Sequence, residues 1–81
     1  MRLTTTPRVR QHLDPEDELE IRQAEPGIAS AAILAVEPPS LTRPGRYRCT
    51  ISADGLASAA WASTPIGAFR AAHRAWRESA A

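Results

Sequence analysis

Ser63, His73 and Asp54 provide the residue types of a hydrolytic triad, in which a histidine takes the proton of an attacking serine and an acid orients the histidine. No nucleophile-elbow pattern surrounds Ser63, and triads are defined by geometry and not by composition. His73 falls at helical spacing between Phe69 and Trp76, which suits the edge of a packing face. His12 and His73 lie far apart in sequence from each other and from Cys49, which makes poor metal-site material. A single cysteine also excludes an intramolecular disulfide and a cysteine-cluster zinc site. The expectation is a protein that is not an enzyme, with no catalytic residue, no cofactor and no metal.

Charge is more informative. Residues 1–13 carry a net +3, residues 14–25 carry −5, residues 26–45 are balanced and residues 46–81 carry +3, so the overall +1 conceals two poles. At the acidic pole, Asp14, Glu16, Asp17, Glu18 and Glu20 resemble paired carboxylates, but such a run is ordinarily a solvated face. A sharper reading is an acidic strip that competes with nucleic acid for a basic groove on a partner. At the basic pole, Arg46 and Arg48 interleave with Tyr47 and Trp61, and Arg70, Arg74 and Arg77 recur at i, i+4, i+7. Arginine and tryptophan are enriched at protein-binding hot spots, and the same pair suits a nucleic-acid surface. A segment of only +3 beside so many acids is a weak basic footprint, so a protein partner is preferred over nucleic acid. The candidate protein-binding residues are Arg46, Arg48, Trp61, Glu16, Asp17, Glu18 and Glu20. Arg70, Arg74 and Arg77 are the candidates for the nucleic-acid alternative.

The elements that must position these residues are clearest at the C-terminal end. Tyr47, Cys49 and Ile51 alternate with Arg46, Arg48, Thr50 and Ser52, the period of a strand with one face buried. Asp54-Gly55 then predicts a two-residue type I′ turn, where both central residues need positive φ. Counting outwards from Ala53 opposite Leu56 sets Ile51 against Ser58, Cys49 against Ala60 and Tyr47 against Ala62. On the other face Thr50 meets Ala59, and Arg48 meets Trp61 as a cation–π pair; a one-residue bulge would instead turn Trp61 into the core. Thr64-Pro65 opens a helix whose apolar stripe is Phe69, Ala72, His73 and Trp76.

The remainder is less determined. Residues 1–13 show no periodicity and read as an extended, flexible arm. Residues 14–25 admit a helix, with Asp14-Pro15 as its start, or a strand, since Glu18 to Arg22 alternates; a strand after a short turn is preferred because a helix here has almost no apolar face. Ile28 to Val36 reads as a strand buried on both faces, with an alanine-rich helix as runner-up. Glu37 to Gly45, with three prolines, reads as a stiff loop. Large core candidates are few: Leu19, Ile21, Ile28, Ile33, Leu34, Val36, Tyr47, Ile51, Leu56, Phe69 and Trp76. Such a thin core in an 81-residue chain motivates a homodimer or an obligate complex. No apolar run is long enough to span a membrane and no secretory signal is expected, so a cytoplasmic setting is the default.

Two resemblances bear on these elements. The tail from Ser63 through Ala71-Ala72 and Ala75-Trp76 is similar to the end of double-stranded-RNA-binding domains, whose order is α-β-β-β-α. Those domains place lysines at the start of the last helix, where this chain has Thr64, Pro65, Ile66, Gly67 and Ala68, so phosphate binding does not carry over. Residues 44–76 resemble the ββα half of small phage-encoded anti-CRISPR proteins, through Pro44-Gly45-Arg46-Tyr47, Asp54-Gly55 and the alanine-rich helix ending in Trp76. That resemblance implies a non-catalytic inhibitor, from a phage or mobile element, that binds a host nucleoprotein complex. The expected fold is α+β, a small antiparallel sheet of three or four strands packed on one C-terminal helix, with residues 14–81 as a single domain. The expected function is a non-enzymatic protein-binding module; the alternatives are a nucleic-acid binder and a self-associating structural protein.

Overall fold

A computed structural model describes residues 2–24, 28, 30–37, 40–53 and 55–80. The alternation around Tyr47 becomes strand β3 (Arg46–Ala53), and the segment after the turn becomes β4 (Leu56–Ala62). Their antiparallel register runs without a break from Ala53 opposite Leu56 to Tyr47 opposite Ala62, as the two-residue turn requires. Gly55 takes a φ of +80°, the left-handed conformation that glycine adopts without steric cost; Asp54 lies outside the described residues. Helix α3 (Pro65–Ala80) follows. The Thr64 hydroxyl oxygen accepts a hydrogen bond from the Gly67 N–H at 3.1 Å, capping the helix, while Pro65 occupies a position that needs no donor. Gly67 leaves room for that cap, because a Cβ there would stand 2.8 Å from the Thr64 hydroxyl and 3.2 Å from the Ala62 methyl.

Upstream of β3 lie β1 (Arg2–Thr5), α1 (Pro7–Gln11), α2 (Pro15–Gln23) and β2 (Ser30–Glu37). The sheet order is β1-β2-β3-β4. β1 runs parallel to β2, and the other two pairs are antiparallel. The α+β class is as expected, but the sheet is mixed. A parallel neighbour needs a long crossover, and α1 and α2 provide it.

Residues 2–13 are an edge strand and a short helix and not an extended arm, because Val9 and Leu13 are buried in the core. Residues 15–23 form a helix, not a strand. Pro15 and early acids start it, the Asp17 carboxylate accepts the Asp14 N–H at 3.3 Å, and a single residue, Ile21, fastens it by full burial. The near-absence of an apolar face did not prevent the helix, since strong helix formers need only one anchored position when the crossover already confines them.

Tyr47, Cys49 and Ile51 from β3, Ala31 and Ile33 from β2, and Ala68, Phe69 and Ala72 from α3 meet Val9, Leu13, Ile21 and Ile28 in one cluster. All three helices therefore contribute to covering one face of the sheet. Each large side chain buried there contributes about 2 kcal/mol. Trp76 packs against the cluster and is partly buried. Leu19, Leu34, Val36 and Leu56, read above as core, are exposed. β2 is thus buried on one face only, and Ile28 enters the core from before the strand.

Candidate partner-binding face

Of the basic pole, the face of the sheet turned away from the helices carries Arg46, Arg48 and Trp61, while Arg70, Arg74 and Arg77 lie on α3. Register sets Leu34, Arg48 and Trp61 in one row across β2, β3 and β4. The next row is small and polar: Ala32, Thr50 and Ala59. A bulge in β2 between Ala35 and Glu37 brings Glu37 opposite Arg46 and leaves Val36 outside the ladder. Leu34, Val36 and Trp61 remain 36, 47 and 47% exposed, so apolar surface lies open beside Arg46 and Arg48 with no cover among the described residues.

Both guanidinium groups lie over the indole. The Arg46 carbon is 4.5 Å from the Trp61 ring centroid and that of Arg48 is 5.7 Å. The pairing anticipated for Arg48 is therefore shared, with Arg46 the nearer. Each contact is worth about 0.5–1 kcal/mol at an exposed site. Two guanidinium groups over one indole favour a single orientation of the ring. Arg48 Nε is shielded from water and has no hydrogen-bond acceptor among the described residues. A cleft of about 390 Å³ opens beside Trp61, walled by Arg46, Glu37, Arg43 and Pro44.

The acidic candidates lie elsewhere. Glu16, Asp17, Glu18 and Glu20 are on α2, on the helix side of the sheet, so they do not join Arg46, Arg48 and Trp61 in one surface. Two of the four are engaged internally. Asp17 closes the start of its own helix, and Glu20 accepts two hydrogen bonds from Arg70, 2.7 Å from Nε and 2.8 Å from Nη2. The Arg70 hydrogen bonds hold the Glu20 carboxyl below its usual pKa. Glu16 and Glu18 make no such side-chain hydrogen bond among the described residues. The same pair withdraws Arg70 from the arginine stripe and leaves Arg74 and Arg77 beside a groove of about 590 Å³ between α2 and α3.

His73 stacks between Phe69, at 5.7 Å and 12°, and Trp76, at 6.1 Å and 13°. Burial, and secondarily the charge of Arg77, lower its pKa. It sits about 12 Å of helical rise beyond the start of α3, committed to packing and not to a serine in the preceding turn. Cys49 is buried, and desolvation pushes its thiol up to about 12, which removes it as a nucleophile at neutral pH. Among the described residues no cluster of histidine, cysteine and acids could hold a metal ion, and no helix is long and apolar enough to cross a membrane.

Sequence reasoning missed Leu34 and Val36 as members of the exposed face. Their signal was the uncharged run Ile28 to Val36, which reads the same whether one face or both are covered. Comparison with known proteins found no matching family model, no matching curated protein and no matching solved structure.

Proposed function

We propose that this chain is a non-enzymatic protein-binding module whose contact surface is the uncovered face of the sheet. The observation that carries the reading is the indole of Trp61, held by two arginines beside exposed Leu34 and Val36. An apolar centre with a rigid aromatic and flanking cations suits a partner surface that is apolar with acidic margins. The acidic helix is a weaker candidate, because half of its proposed carboxylates already serve the fold. The narrower reading is an intracellular inhibitor of a host nucleoprotein complex, encoded by a phage or mobile element. Its support is the resemblance of residues 44–76 to anti-CRISPR proteins.

One observation favours nucleic acid as a second reading: α2, β2, β3, β4 and α3 follow the α-β-β-β-α order of double-stranded-RNA-binding domains. Against it, Arg70 is occupied by Glu20, and two remaining arginines give a shallow dependence of binding on salt. The test is affinity capture from a host lysate with wild-type and Trp61→Ala protein, each with and without nuclease. A stoichiometric protein that survives nuclease and is lost from a folded Trp61→Ala variant supports the module. Equal capture by both proteins removes the sheet face from the account, and capture that vanishes with nuclease favours the nucleic-acid reading.

A further inference from the structure

β4 lies at one edge of the sheet, with no strand beyond it among the described residues. An open edge offers a row of unpaired N–H and C=O groups, and folded proteins blunt such edges with charge, proline, a bulge or brevity. β4 uses none of these. Its seven residues, Leu-Ala-Ser-Ala-Ala-Trp-Ala, are uncharged, contain no proline and keep unbroken register with β3. The opposite edge, β1, is only four residues long and carries Arg2. Every residue of β4 is exposed or half-exposed, including Ser58, Ala60 and Ala62 on the helix side. Their β3 partners Tyr47, Cys49 and Ile51 are buried, whereas Ala60 and Ala62 pack against the core yet keep part of their surface open at this edge.

We propose that β4 pairs antiparallel with β4 of a second copy about a twofold axis at Ala59, joining two four-stranded sheets into one. The order of residues along the strand is what selects a second copy as the occupant. With the axis at Ala59 all seven residues pair. Trp61 then faces Ala57 of the other copy, Leu56 faces Ala62 and Ser58 faces Ala60, so each large side chain meets an alanine. Opposed residues keep to the same face of the sheet, as a twofold normal to it demands. No charge opposes its own copy, and an isologous contact closes at two subunits without leaving a growing edge. Moving the axis to either neighbour shortens the ladder. The pairing would also place two Trp61 clusters on one continuous surface, about 13 Å apart along the strands.

Sedimentation equilibrium from low to high micromolar concentration tests this, with Ala59→Glu and Ala59→Lys as variants. Ala59 is exposed and lies opposite Thr50 on the open face, so a charged side chain there reaches water in the monomer. The wild type should move from 8.8 kDa towards twice that mass. Each variant alone should stay monomeric with an unchanged circular dichroism spectrum, because the axis sets like charges directly opposite each other. An equal mixture of the two variants should recover the dimer. Wild-type protein that stays monomeric throughout overturns the proposal and leaves the edge to a strand of a different protein. Variants that dimerise as the wild type does, or a mixture that stays monomeric, also overturn it. The readout is mass, so it stands apart from whether the open face has found its partner.

Discussion

Cys49 and His73 show how position within the fold governs two reactive residue types. Cys49 points into the core from the middle of β3, and the cost of a buried thiolate lifts its pKa to about 12. A thiol reagent should therefore label it only after the sheet opens. Labelling in the native buffer should be slow and should accelerate in step with denaturant-induced unfolding; fast labelling of native protein would contradict its burial. For His73, the neutral ring is the form that the Phe69–Trp76 stack accommodates, so the folded pKa lies below 6.5 and the unfolded chain binds the proton first. Stability from this group is fully present above pH 6.5 and is lost as pH falls below it. The denaturant midpoint of the wild type should drop between pH 7.5 and pH 5.5, and His73→Phe should remove that part of the drop. Glu20 does not confuse the measurement, because its pKa is lowered from 4.5 and its contribution fades only at more acidic pH.

At the scale of elements, the strongest local signals were those with a stereochemical cause. The Thr64 cap is one, and Thr64→Ala should cost about 1 kcal/mol in chemical denaturation, with Thr64→Ser retaining most of the stability. The β3–β4 register was legible because a two-residue turn and a period of two leave a single pairing that keeps Tyr47, Cys49 and Ile51 on one face. α2 was misjudged for a definable reason. Its alternation from Glu18 to Arg22 is accidental at the level of burial: Ile21 enters the core while Leu19, two residues earlier, is 56% exposed. A strand would have turned both to the same side; a helix separates them by about 200°. The bidentate Glu20–Arg70 pair then ties α2 to α3, a contact between residues fifty apart that no local pattern announces.

For the molecule as a whole, the N-terminal residues decide whether the core is sufficient. Val9 and Leu13 are buried beside Ile21 and Ile33, and together they contribute about 4 kcal/mol, a large share of the 5–15 kcal/mol typical of a domain. Deleting residues 1–13 should lower Tm by about 15 °C or more and should broaden the transition; an unchanged Tm would restore the reading of these residues as a detachable arm. The sequence by itself determined the hairpin, the register that a two-residue turn imposes and the start of α3, because turn stereochemistry, strand period and capping act within a few residues; whether Trp61 turned outward or, through a bulge, into the core was left to the structure. Only the tertiary structure decided that residues 2–5 add a parallel strand, that Leu34 and Val36 lie on an uncovered face, and that the acidic helix stands across the sheet from Arg46 and Arg48. Those outcomes depend on which face the helices cover, and that choice is made by the combined burial of Val9 and Leu13 from the N-terminal stretch, Ile21 from α2 and Phe69 from α3.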